Sequence, residues 1–155
     1  MTTFNSNEKK LIKYARNKIL QYCKMRKSKG LYDIIYAFVL SDSGKIYDGA
    51  AAESNQPQAG FCAERHAIGN MLLAETEKAK IISIFVAGPV PKKSKEAITP
   101  CGICRIRIHE FSTPKTSIIC SEFIRNEKDW QMFPRIDRYY IKEIYPHPYI
   151  PIEWD

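Results

Sequence analysis

Between residues 62 and 120 the chain runs twice through one pattern: a cysteine, a helical stripe of apolar residues, then a short unbroken apolar run. "CAERHAIGNMLLAE" leads to "IISIFVAG", and "CGICRIRIHEF" leads to "TSIIC". Apolar residues three and four apart make an amphipathic helix, whereas a short run of branched apolar residues makes a strand buried on both faces. Upstream, "DIIYAFVLS" and "KIYDGA" flank the turn "DSGK" and predict a hairpin. The expected order is helix, two strands, helix, strand, helix, strand, then a less regular tail. That alternation points to an α/β fold, a three-layer sandwich with a mixed central sheet covered by helices. With 155 residues and no linker, repeat or low-complexity stretch, residues 1–155 read as one domain.

Charge and cysteine count narrow the possibilities. The net charge is +7, but residues 1–30 alone carry +8 and the remainder −1. Leu11, Ile12, Ala15 and Ile19 form the apolar stripe of an N-terminal helix whose Lys and Arg residues occupy the other positions. The basic excess therefore reads as a solvated helix face, and nucleic acid is not expected as a partner. No apolar run approaches the ~18 residues that cross a bilayer, so no membrane contact is expected. The N-terminus lacks a signal-peptide core, so the chain is expected in the cytoplasm with reduced thiols. Five cysteines, an odd number, do not make a complete disulfide set.

Each cysteine motif lies where a loop enters a helix. Orphan amides and the positive dipole end there favour thiolates. Cys62, Cys101 and Cys104 can supply three soft ligands to Zn²⁺ and leave its fourth tetrahedral position for water, with Glu64 two residues from Cys62 to manage a proton. Two other readings use the same residues. His66 could close a structural zinc site, or Cys101 and Cys104 could form a redox pair.

"CAER" followed by "PCGICR" resembles the free-nucleoside cytidine deaminase family, and the resemblance extends from about Leu11 to "KEIYP" at Pro146. It implies a cytidine deaminase-like fold, Zn²⁺ on Cys62, Cys101 and Cys104, and hydrolytic deamination of a cytosine nucleoside with Glu64 as proton carrier. It implies sugar binding by Glu53, nine residues before Cys62. Arg65 or Arg105, each adjacent to a motif residue, could hydrogen-bond the sulfurs and offset their charge, and the resemblance implies that role for Arg65. The family's usual homotetramer is the expected assembly, with subunits completing one another's sites.

Three features depart from the family pattern. Ala51 stands where an asparagine grips the sugar, and Asp33 stands where an aromatic stacks on the pyrimidine, leaving Tyr32 or Tyr36 to compensate. The aromatic tail, with Tyr149 and Trp154, is similar to the ending of blasticidin S deaminase. A deaminase of that antibiotic type, or a zinc-bound nucleoside-binding protein with little turnover, is the alternative expectation.

Overall fold

A computed structural model of the chain describes residues 2–151. Helix α1 (Ser6–Ser28) opens with a reciprocal cap in which Asn5 accepts from the Glu8 amide at 2.9 Å and the Glu8 carboxylate accepts from the Asn5 amide at 2.9 Å. Its apolar stripe, Leu11, Ala15, Ile19 and Cys23, is buried, while Lys9, Lys10, Lys13 and Arg16 face solvent. The hairpin follows as β1 (Tyr36–Ser41) and β2 (Ile46–Ala50), turning through Gly44 at a φ of 84° that suits glycine. The first strand starts at Tyr36, three residues later than the apolar run suggests.

Helix α2 (Ala63–Glu75), β3 (Ile81–Pro89), α3 (Gly102–Phe111) and β4 (Ser112–Arg125) continue the alternation. The sequence left the next segment as an irregular tail. It forms β5 (Trp130–Tyr140) and the short helix α4 (Ile141–Ile144). The sheet order is β2-β1-β3-β4-β5, with β3 and β4 parallel and every other pair antiparallel. A parallel pair needs a crossover connection, and α3 lies within it.

Strand alternation divides the core in two. Ala37, Val39, Ile84, Val86, Ile118 and Cys120 pack with α2 and α3, whereas Phe38, Phe85, Ile119 and Phe123 pack with α1. The expected mixed sheet between helical layers is thus present.

Close approach on the α2 face depends on small residues. A Cβ on Gly49 would lie 2.2 Å from the Ala63 carbonyl oxygen and 2.4 Å from the Ala67 nitrogen, so only glycine lets the first turn of α2 rest on β2. The same helix seals the open edge of β2. Asn70 donates to the Asp48 carbonyl at 2.8 Å, and the Ala50 amide donates to His66 Nδ1 at 3.1 Å. On the other flank, carboxylates of β4 and β5 hold the loop that leads into α3. The Ser94 amide donates to buried Glu122 at 3.0 Å, and the Ala97 amide donates to Asp137 at 3.1 Å.

Candidate metal centre and active site

The close packing of α2 and the loop ties bring two helix starts together. Cys62 is the N-cap of α2 and Cys101 that of α3, both in extended backbone and neither making a side-chain cap. First-turn amides are therefore available to the sulfurs. Cys104, one turn into α3, is buried. The three sulfurs lie within 4.8 Å of one another, and those of Cys62 and Cys101 are 3.7 Å apart. Ligands on a tetrahedral zinc at about 2.3 Å stand about 3.8 Å from each other, so the spacing fits.

The electrostatics fit as well. Burial pushes the Cys104 thiol up, and the Glu64 carboxylate beside it adds to the rise. Burial also raises Cys62, with neighbouring Cys101 contributing. Cys101 faces the same burial penalty yet is lowered, because the backbone amides of Cys104 and Ile103 and the adjacent thiols donate to it. Three crowded sulfurs that resist joint ionisation are the situation a divalent cation relieves. Cys62, Cys101 and Cys104 would hold Zn²⁺.

Glu64 is 4% exposed, and burial raises its carboxyl above the usual carboxylate range while the nearby Cys104 thiol opposes the rise. His66 is not in this cluster. Its Nδ1 is engaged by the Ala50 backbone and its ring meets Phe61 edge-on at 5.3 Å, which removes the closed four-ligand reading.

The two arginines differ. Arg65 lines a cavity with Cys62 and Glu53, and its buried Nε has no partner among the described residues, leaving a donor for a thiolate. Arg105, the other arginine expected near the sulfurs, makes its hydrogen bonds elsewhere. Its Nε donates to the Pro100 carbonyl at 2.8 Å, Nη1 to the Ile144 carbonyl at 2.8 Å and Nη2 to Thr99 Oγ1 at 3.2 Å. Three of its five N–H donors thus go to the loop before Cys101 and to the end of α4. Arg105 ties the loop before Cys101 to the end of α4.

A groove of about 650 Å³ contains Asp33, Ala51 and Glu53, the positions at which the sequence pattern locates nucleoside contacts. It continues through Ala52 and Glu53 into the cavity at Cys62 and Arg65. Asp33 turns inward and accepts from Trp130 Nε1 at 2.9 Å. Tyr36 does not compensate for the missing aromatic, because its ring stacks on Tyr22 at 5.3 Å in the α1 core. Tyr32, 87% exposed, stands at the groove. Arg26 also lines it, a residue that spacing alone had assigned to the solvated helix face.

An α/β sheet that brings three thiols and a buried carboxylic acid together at two helix starts defines the class, a zinc-site hydrolase fold. The chain belongs to the family described as the cytidine and deoxycytidylate deaminase zinc-binding region, which matches residues 9–120. It is 33% identical over 97 residues to a cytidine deaminase of Mycoplasma pneumoniae, covering 63% of this chain and 68% of that protein. It is 31% identical over the same length and coverage to a cytidine deaminase of Mycoplasma genitalium. The crystal structure of cytidine deaminase from Burkholderia pseudomallei shares the fold, with a TM-score of 0.61 at 20% identity over 86% of this chain and 98% of that one.

Proposed function

We propose that this chain hydrolytically deaminates the cytosine ring of a free nucleoside, cytidine, deoxycytidine or an analogue, releasing ammonia. The observation that carries the reading is the buried Glu64 carboxyl beside the Cys104 thiol, whose sulfur clusters within 4.8 Å of those of Cys62 and Cys101. Zinc, when bound, supplies a Lewis acid that activates water at its open position.

The chain's own residues supply the rest. Glu64 takes a proton from water and returns protons to ring N3 and to the departing amine, so water enters, ammonia leaves and the C4 amine becomes a carbonyl. First-turn amides of α2 and α3 and the unpaired Arg65 Nε stabilise negative charge on the sulfurs. Arg105 fixes the loop bearing Cys101. Glu53 binds a sugar hydroxyl in the groove that runs to Cys62.

A nucleoside-binding protein without turnover has no use for a carboxylic acid buried at the metal. The 33% identical relative is itself a cytidine deaminase, and neither it nor the retained Arg65 favours the antibiotic-deaminase alternative.

The remaining proposals concern context. Exposed Leu73 on α2, Ile103 and Ile106 on α3, and Tyr149 and Ile150 in the tail support self-association, for which we propose a homotetramer. Trp154 lies outside the described residues. One domain spanning 1–155, a cytoplasmic location and a role in pyrimidine salvage complete the reading. Light scattering on the intact chain tests the assembly.

The deciding experiment is ammonia release by the zinc-loaded chain from a panel of cytosine nucleosides. At least one should reach kcat/KM of about 10⁴–10⁸ M⁻¹s⁻¹. Release from none overturns the proposal.

A further inference from the structure

Arg26 is in an unusual position for a residue on a solvated helix. It lies in the last turn of α1, and its Nε donates to the Tyr32 carbonyl at 2.6 Å, which ties the guanidinium to the loop entering β1. Its two terminal nitrogens have no hydrogen-bond or ion-pair partner among the described residues. The same side chain lines the groove that contains Ala51 and Glu53 and continues to Cys62. Among the described residues it is the only cationic one lining that groove, beside the acidic Asp33 and Glu53.

The carboxylates nearby do not neutralise it. Asp33 accepts from Trp130 through one oxygen, keeps its other oxygen buried without a partner among the described residues, and forms no ion pair with Arg26, while Glu53 faces solvent. Lys24, Lys27 and Lys29 flank Arg26 and are all exposed, so the end of α1 is positive overall. A planar guanidinium held at one nitrogen presents its remaining donors as a fork, the geometry that fits a carboxylate or phosphate. Across the groove Ala51 offers no side-chain donor to a sugar hydroxyl.

We infer that Arg26 is a specificity-determining residue that reads an anionic group on the sugar of the cytosine substrate. This inference rests on the deaminase reading above, and the shared chemistry is an oxyanion bound by the two free guanidinium nitrogens. The oxyanion comes from a phosphate or from a carboxylate, and the substrate panel separates the two. Glu53 holds a hydroxyl on the same sugar, so the pair orients it by one acceptor and one forked donor.

The test uses the intact zinc-loaded chain and the variants R26M and R26K, with circular dichroism and zinc content confirming that each is folded and loaded. Substrates are cytidine, its 5′- and 3′-monophosphates, and the cytosine nucleoside whose 5′ carbon is a carboxylate. Wild type should favour at least one anionic member over cytidine, because a charge-assisted pair contributes about 10- to 100-fold. R26M should reduce that preference by the same factor, and R26K should retain part of it. Preference confined to the phosphates or to the carboxylate identifies the source.

The inference is overturned if wild type processes cytidine at least as well as every anionic member. It is also overturned if R26M lowers all substrates equally, since Arg26 would then serve only to hold Tyr32. If no compound releases ammonia, the deaminase reading fails separately. Calorimetric binding of uridine against its 5′- and 3′-monophosphates and its 5′-carboxylate then decides the role of Arg26, with equal affinity throughout counting against it.

Discussion

The two faces of the sheet are built on opposite principles. On the α1 face, Phe38, Phe85 and Phe123 fill a thick layer between helix and strands. On the α2 face, Gly49, Ala63 and Ala67 bring helix and strand nearly into backbone contact. Bulky packing tolerates small shifts in helix position, whereas backbone contact does not. The chemistry sits on the face where a helix has least freedom to move, which suits a site whose sulfurs must meet within a fraction of an ångström.

The largest expected effect isolates chemistry from both kinds of packing. Glu64→Gln keeps the volume but cannot carry the proton, so turnover on the best substrate should fall by several powers of ten while zinc content and melting temperature stay close to wild type. Loss of zinc in that variant would move Glu64 into a structural role.

Phe38→Ala and Gly49→Ala then set the two faces against each other. Phe38→Ala should cost about 3–5 kcal/mol in denaturant unfolding, yet the protein that remains folded should hold zinc normally. Gly49→Ala should cost less, about 1–3 kcal/mol, but should weaken zinc retention during dialysis against a chelator, because relief of the clash displaces the turn carrying Cys62. Equal zinc loss in both would erase the distinction between the faces.

Arg105→Met removes two hydrogen bonds to the loop before Cys101 and one to the end of α4, and should cost about 1–3 kcal/mol with faster zinc loss. Visible spectra of cobalt-substituted protein should broaden if the loop is loosened, and an unchanged spectrum would show that the loop holds without it.

The smallest effect belongs to Glu75, at the far end of α2, which accepts from Tyr47, from Ser41 at 2.7 Å and from Ser43 at 2.9 Å. The Tyr47 hydrogen bond holds its carboxyl below the usual carboxylate range. Its contribution is therefore present above the unfolded-state value and disappears as pH falls through the lowered folded one. Glu75→Gln should lose about 0.5 kcal/mol at pH 7, and thermal unfolding near pH 3 should show the difference from wild type shrinking.

The elements that the sequence predicts are those buried on both sides or striped on one. β3 is a continuous apolar run because helices cover both its faces, and α1 shows its stripe because its other face is wet. β5 was hidden because it is an edge strand. Pro134 needs no ladder amide there, Phe133 takes a φ of 55°, and Arg135, Asp137 and Arg138 break the apolar rhythm. Asp137 and Arg138 are nonetheless used, one holding the loop before α3 and the other paired with Glu8 at 3.1 Å.

At the site, Cys62, Cys101, Cys104 and Glu64 were legible because helix-start cysteines have a distinctive spacing. The placement of Arg105 was not, since adjacency to Cys104 in sequence says nothing of where so long a side chain ends. Arg26 was hidden among lysines of similar charge and period, and only the fold turns it toward the groove.

The closure of β2 by His66 and Asn70 also limits how copies of this molecule can meet. A neighbouring chain would have to displace two side-chain hydrogen bonds from the helix that carries Glu64 before it could add a strand there. The helix that carries Glu64 thus also denies this rim of the sheet to fibre growth, and an alteration that frees α2 would expose a template for aggregation as well as disturb the cysteine cluster.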